Sequence, residues 1–186
     1  MTVPSETTHT SMTTDPIETA KVIKLVLFDV DGVLTDGSLF LGDGGEQYKA
    51  FNSKDGHGMR MLADSGVKVG ILTGRTSEVV THRMRDLGID LVVQGRRDKL
   101  NALDGLLQQA GVGAEHTAYV GDDVVDLPVM RRVRLAIAVA DAHPLVQQHA
   151  HWVTALPGGR GAAREVCEFI MQAQGNLERM LAPYLS

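Results

Sequence analysis

The chain has 186 residues, enough for one domain with a buried core. Its 44% hydrophobic and 22% charged residues are the balance of an ordinary globular protein. The net charge of −5 argues against a general nucleic-acid binder, the single cysteine excludes an intramolecular disulfide and a CxxC metal site, and no window approaches the roughly 18 apolar residues of a membrane span.

Residues 1–20 are rich in Thr and Ser, with two prolines and few apolar side chains. Such a segment buries too little surface to offset its ordering entropy, so it is expected to be a disordered or loosely docked tail, with His9 solvated. It shows no basic region followed by an apolar one, so no secretory signal is expected, and a reducing, cytoplasmic setting suits the lone thiol. A single domain is expected over 21–186. "KVIKLVLFD" reads as a buried strand, and "GSLFLGDGGEQYKAFN" as a β-hairpin over about 38–51. "SKDGHGMRMLADSG" follows as a helix with Met59, Leu62 and Ala63 inward and Gly66 as its stop.

"VKVGIL" is a second buried strand. "TSEVVTHRMRDLG" is a helix with Val79, Val80, Met84 and Leu87 inward. "IDLVVQG" is strand-like, "RDKLNALDGLLQQAG" helical, and "HTAYVGDD" runs from strand to loop. "DLPVMRRV" is a short helix, "RLAIAVA" a strand, and "HWVTAL" a brief last strand after a segment around "HPLVQQHA". "PGGRGAAREV" reads as a flexible glycine loop entering a helix that carries Cys167, expected to be inert in the core beside Trp152, Val166, Phe169 and Ile170. Strands alternating with helices give an α/β, Rossmann-like three-layer domain with a mainly parallel sheet. In such folds ligands bind at the carboxyl ends of strands.

The chemically interesting residues fall at those ends. Asp29 and Asp31 close the first strand, and their spacing aims both at one pocket. Thr73, Gly74 and Arg75 end the next, and Gly121, Asp122 and Asp123 a later one, with Asp126 a helical turn beyond. Convergent carboxylates repel, and a hard cation bound by oxygen, Mg²⁺ above all, relieves the repulsion. Thr73 and the following N–H groups suit a phosphoryl oxygen, unless Thr73 is an ordinary helix cap. Lys99 opens a helix, where the helix dipole does not favour a cation, so it belongs beside an anion cluster or in solvent.

"DVDGVLTDG", "LTGR", "DK" and "GDD..D", in this order and spacing, resemble the four motifs of haloacid dehalogenase-like phosphatases over about residues 22–174. "KAFNSKDGHGMR", "GDDVVDLPVM", "VADAHP" and "GGRGAAREVC" bring the chain nearest the branch acting on 3-deoxy-D-manno-octulosonate 8-phosphate, a lipopolysaccharide sugar. The resemblance implies that Asp29 is a nucleophile forming an aspartyl-phosphate and that Asp31 is the general acid and base. It implies Mg²⁺ held by Asp29, the carbonyl of Asp31 and Asp122, with Asp123 or Asp126 behind them. Thr73 and Lys99 would neutralise the transferring phosphoryl group, and Gly32 would let the backbone pass close to it. Asp36 is left as a turn residue.

Only 36 residues separate Asp36 from Thr73, and a hairpin and a helix occupy them, so no separate cap domain is expected. Related capless phosphatases close their sites with neighbouring subunits, which implies a homotetramer assembled through the hairpin, against the alternative of an exposed flap in a monomer. The resemblance also implies substrate contacts, some across a subunit boundary, from Asn52, Ser53, Lys54, Asp55, Gly56, Arg60, Asp31, Gly74, Arg75, Arg83 and Lys99. Lys54 stands where close relatives usually carry arginine, which keeps the charge and loses the bidentate fork. Arg160 either reaches a neighbouring active site or is solvated. The expected substrate is a phosphorylated sugar acid, with a nine-carbon sugar acid 9-phosphate as the alternative and a non-catalytic phosphate-binding subunit as a third reading.

Overall fold

In the computed structural model, residues 15–44 and 47–185 are described. The chain opens with α1 (Pro16–Ala20), then β1 (Leu25–Phe28), β2 (Phe40–Leu41), β3 (Gln47–Tyr48), α2 (Ser53–Asp64), β4 (Lys68–Leu72) and α3 (Glu78–Leu87). It continues with β5 (Leu91–Val93), α4 (Lys99–Ala110), β6 (Thr117–Gly121), α5 (Leu127–Met130), β7 (Leu135–Ala138), α6 (Pro144–His149), β8 (Trp152–Val153), α7 (Ala162–Ala173) and α8 (Leu177–Leu181).

The main sheet has the order β5-β4-β1-β6-β7-β8, and every pairing in it is parallel. All four β1 side chains, Leu25 to Phe28, are fully buried. Because successive side chains point to opposite faces, both faces of the sheet must be covered, and this is why β1 reads as an unbroken apolar run. Helices α1, α2 and α7 pack together, while α4 and α5 pack on each other and on neighbouring strands. The chain leaves β1 for β4 and β5, then returns to place β6 on the other side of β1. That reversal opens a crevice at the carboxyl ends of β1 and β6.

Residues 15–20, expected to be part of a loose tail, are folded. Asp15 caps α1 by accepting from the Ile17 N–H, Pro16 takes the first turn, and Ala20 is fully buried against the core. A capped start and two small buried residues, Thr19 and Ala20, dock this segment without a long apolar stripe. His9 and the rest of the expected tail lie outside the described residues. The hairpin forms as a separate two-stranded antiparallel pair with Phe40 opposite Tyr48. In α2, Met59 and Leu62 are buried as expected, but Ala63 is exposed and Met61 is buried. This helix packs on α7, α3 and β4 together, so its burial spreads beyond one stripe. In α3, Val80 and Met84 are buried, while Val79 and Leu87 are half-buried. Cys167 is fully buried, and burial pushes its thiol pKa up, which leaves it unreactive.

The glycine loop before α7 is pinned in place. Gly158 donates to Asp141 Oδ1 at 2.9 Å, Gly159 to the Val33 carbonyl at 2.9 Å, and Gly161 to Asp55 Oδ2 at 3.3 Å. A Cβ on Gly158 would fall 1.7 Å from the Gly32 carbonyl oxygen. The glycines serve close backbone approach to the loop after β1, where flexibility was expected.

Candidate active site

The loop after β1 is locked from within. The N–H groups of Val33, Leu34 and Thr35 all donate to the Val30 carbonyl, at 3.3, 2.9 and 3.0 Å. Thr35 is buried, and its hydroxyl accepts from the Gly37 N–H at 3.2 Å. Gly32 has φ +91°, and a Cβ there would lie 2.0 Å from Asp122 Oδ2. Glycine is therefore required twice over: for its left-handed backbone and for the approach of Asp122 from β6.

Asp29, Asp122 and Asp126 bring carboxylate oxygens within 4.8 Å of one another. Lys99, at the start of α4, reaches into this group with a nearly buried side chain, 2.8 Å from Asp29 Oδ2 and 2.7 Å from Asp126 Oδ1. Asp126 is fully occupied. Its Oδ1 accepts from Lys99 and from the Tyr119 hydroxyl at 2.6 Å, and its Oδ2 accepts from the N–H groups of Asp122 and Asp123 at 3.0 and 3.2 Å. It acts as the brace that orients the β6 loop and Lys99, whereas Asp123 caps the following turn with Oδ1 on the Val124 N–H.

Three buried carboxylate oxygens have no hydrogen-bond partner: Asp29 Oδ1, Asp31 Oδ2 and Asp122 Oδ1. Burying such atoms unpaired is costly, and two of them lie on Asp29 and Asp122, whose carboxylates share one space, which marks a place built for another species. Burial, reinforced by the charge of Asp126 and opposed by Lys99, raises the Asp29 pKa. Burial and the charges of Asp126, Asp29 and Asp123 push Asp122 up to about 8. For Lys99, burial alone would depress the pKa, but Asp29 and Asp126 outweigh it and the net direction is upward, so it stays cationic. The residues present fit a divalent cation. Free carboxylate oxygens face one space, and the remaining acid is already spent on the protein.

Asp31 is flanked by two cations. Lys49, following β3, forms an ion pair with its Oδ1, and Arg75 Nε lies 3.8 Å from its Oδ2. Lys99 beside the acids agrees with its expected place next to an anion cluster, whereas Lys49 as a compensating cation was not anticipated. Lys49 and Tyr119 were both missed. Tyr119 offered one signal: a phenol inside an apolar strand must find a partner for its hydroxyl, and Asp126 lies seven residues on. Thr73 is buried at the end of β4, and a Cβ on Gly74 would stand 4.0 Å from Lys99 Cε, so this loop also borders the site.

The "NSKDG" segment serves the scaffold more than expected. Asn52 caps α2 with its side-chain oxygen on the Lys54 N–H and donates to the Gly159 carbonyl at 3.4 Å. Asp55, expected at the substrate, is instead buried with its oxygens on the N–H groups of Gly161 and Arg164 at the start of α7. The reason is that orphan N–H groups at a buried helix start demand an acceptor. A Cβ on Gly56 would strike Arg83 Nη2 at 2.1 Å, so this glycine makes room for Arg83, which lies over the Phe51 ring. Ser53, Lys54 and Arg60 are exposed on α2. Arg160 is exposed and pairs with Asp36 at 3.2 Å, and Asp36 also forms the expected turn by accepting from the Ser38 N–H.

A parallel sheet with this cluster at its switch point defines a haloacid dehalogenase-like hydrolase, and the chain belongs to that family. The model of the haloacid dehalogenase-like hydrolase family matches residues 89–164. The chain is 46% identical over 172 residues, 92% of both chains, to the 3-deoxy-D-manno-octulosonate 8-phosphate phosphatase KdsC of Escherichia coli strain K12. A probable YrbI family phosphatase from Pseudomonas syringae pv. phaseolica superposes with a TM-score of 0.90 at 51% identity, covering 92% of this chain and 98% of that one. The 3-deoxy-D-manno-octulosonate 8-phosphate phosphatase of Moraxella catarrhalis, solved with magnesium ion, phosphate ion and KDO, superposes with a TM-score of 0.88 at 40% identity, covering 91% and 97%.

Proposed function

We infer that this chain is a Mg²⁺-dependent phosphatase that hydrolyses 3-deoxy-D-manno-octulosonate 8-phosphate to the free sugar acid and phosphate. The observation that carries the chemistry is the approach of the Asp29, Asp122 and Asp126 carboxylates to within 4.8 Å of one another beside Lys99, with Asp29 Oδ1 and Asp122 Oδ1 left unpartnered. Likeness to relatives named for this substrate, one of them solved with KDO, supports the choice of sugar acid.

Asp29 Oδ1, free of any hydrogen bond, attacks phosphorus, and the bond from phosphorus to the sugar oxygen breaks. Asp31 serves as the general acid that delivers a proton to the departing alkoxide. Water then attacks the aspartyl-phosphate, gives its proton to Asp31, and releases phosphate with Asp29 regenerated. Lys99 and Thr73 offset charge on the transferring group, Lys99 from a position fixed by Asp126 and Tyr119. Mg²⁺, held by Asp29, Asp122 and the Asp31 carbonyl, would supply the positive charge that lets a carboxylate and a phosphate monoester meet.

The flap exposes Leu39, Phe40, Leu41 and Tyr48. Exposed apolar side chains on so short a hairpin support a homotetramer in which neighbouring subunits complete the open site, with Lys54, Arg60 and Arg160 available to reach substrate there. A cytoplasmic location is part of the same reading.

Phosphate release should require Mg²⁺, and Asp29→Asn should lower kcat by at least about a thousandfold with the fold intact. A panel comparing kcat/KM for the eight-carbon 8-phosphate and a nine-carbon sugar acid 9-phosphate tests the substrate. Preference for the nine-carbon ester would transfer the assignment to it, and full activity of Asp29→Asn would overturn the mechanism.

A further inference from the structure

A cavity of about 510 Å³ opens beside Lys99, lined by Gly74, Arg75, Thr76, Arg97, Lys99 and Val125. It is large enough for a small organic acid. Its floor joins two loops. The Gly95 N–H donates to the Arg75 carbonyl at 3.2 Å, and the Arg96 N–H to the Thr73 carbonyl at 3.3 Å. A Cβ on Gly95 would meet Thr76 Oγ1 at 2.6 Å, so the loops are in close contact as well as stitched. Arg75 and Arg97 are thus mounted on one braced platform, and Arg97 lies two residues before the lysine that touches Asp29.

The arginines differ in their engagement. Arg75 faces Asp31 Oδ2 at 3.8 Å. The Arg97 side chain is exposed and has no hydrogen-bond or ion-pair partner among the described residues. The neighbouring carboxylate of Asp98 is turned away from it, accepting from the Asn101 N–H at 3.1 Å as the cap of α4. A guanidinium left unpaired in the lining of a cavity that also contains Lys99 is a ready fork for a second anion.

Resting on the phosphatase reading, we propose that Arg97 anchors the carboxylate of the sugar acid in this cavity and so selects acid-bearing phosphate esters. The phosphate end is met by Lys99 and the carboxylates. The substrate's other charge then needs a second cation, and Arg97 offers it from the lining of the same cavity, which Thr76 and Val125 share.

The test is steady-state kinetics of the full chain with Mg²⁺, wild type and Arg97→Gln, on the sugar acid phosphate and on a sugar phosphate of similar size without a carboxylate, such as arabinose 5-phosphate. The readout is the ratio of kcat/KM for the acid ester over the carboxylate-free ester. Arg97→Gln should lower this ratio about tenfold, through KM for the acid ester, and Arg97→Lys should recover part of it. An unchanged ratio overturns the proposal, whether both rates fall together, as for a phosphate contact, or neither moves, as for a solvated arginine. Wild-type enzyme that is inactive on the acid ester while hydrolysing the other would overturn the assignment to a sugar acid substrate and this inference with it.

Discussion

Tyr119 shows how one atom can hold a site together. Its hydroxyl donates to Asp126 Oδ1 at 2.6 Å and lies 3.2 Å from Lys99 Nζ, and the ring is fully buried in β6. Tyr119→Phe keeps the packing and removes only the hydroxyl, with its contacts to Asp126, Lys99 and the Leu72 carbonyl. A hydrogen bond to a charged group is worth about 1.5–3 kcal/mol, so a loss of that size is expected in urea unfolding, together with a fall in kcat as Lys99 and Asp126 loosen. Unchanged kcat with lowered stability would confine Tyr119 to the scaffold. Gly32 is a harsher case. Gly32→Ala forces a side chain into a left-handed backbone at φ +91° and onto Asp122, so Mg²⁺-dependent turnover should collapse. A soluble variant with near wild-type kcat would show that the loop after β1 can yield.

At the scale of elements, two capping arrangements carry predictions. Asp55 joins the start of α2 to the start of α7 through N–H bonds of 3.3 and 2.9 Å. Asp55→Ala removes both acceptors and should cost about 1–2 kcal/mol in a denaturant midpoint, with Asp55→Asn in between because an amide has one acceptor oxygen. His151 holds the edge of the sheet by accepting from the Ala136 N–H through Nδ1 at 2.8 Å, which requires a neutral ring. Burial, aided by Arg134, lowers its pKa from 6.5. Below 6.5 the unfolded chain binds the proton more readily than the folded one, so this group's contribution to stability falls as pH falls through the lowered value. His151→Ala should narrow the difference in urea midpoint between pH 7.5 and pH 5, and an unaltered difference would discount the group. These caps also mark where the sequence was legible. Asp29 and Asp31 follow β1, Thr73 follows β4 and Asp122 follows β6, as expected where strand ends in a parallel sheet share one edge, while Lys99 reaches the acids from the start of α4. Lys49 was not anticipated, because its approach to Asp31 depends on how a short flap folds back over the sheet. Nor was the role of Asp55, because its partners lie more than a hundred residues away in α7. The length of α1 was obscured because a cap and two small residues stabilise it where periodicity would have been the clue.

For the molecule as a whole, the switch point concentrates like charge where the fold is most deeply buried. Asp29, Asp122 and Asp126 share one space with Lys99 as the cation inside it, and Asp122 is held up to about 8 by burial and its acidic neighbours. The metal-free protein therefore carries a destabilised centre that a bound cation relieves. Because Mg²⁺ binds the folded chain and not the unfolded one, it should stabilise by RT ln(1 + [Mg²⁺]/Kd), about 1.4 kcal/mol at ten times Kd. For a chain of this size that is a rise in Tm of about 3–6 °C, reversed by chelation. Asp122→Asn separates the two contributions. Without metal it should be at least as stable as wild type, since it removes an acid that folding keeps from ionising, and its Tm should respond little to Mg²⁺. Scanning calorimetry of both proteins, with and without chelator, decides the matter. A full Mg²⁺ response in Asp122→Asn would place the cation elsewhere, and a metal-free variant markedly less stable than wild type would show that Asp122 is needed by the fold as well as by the site.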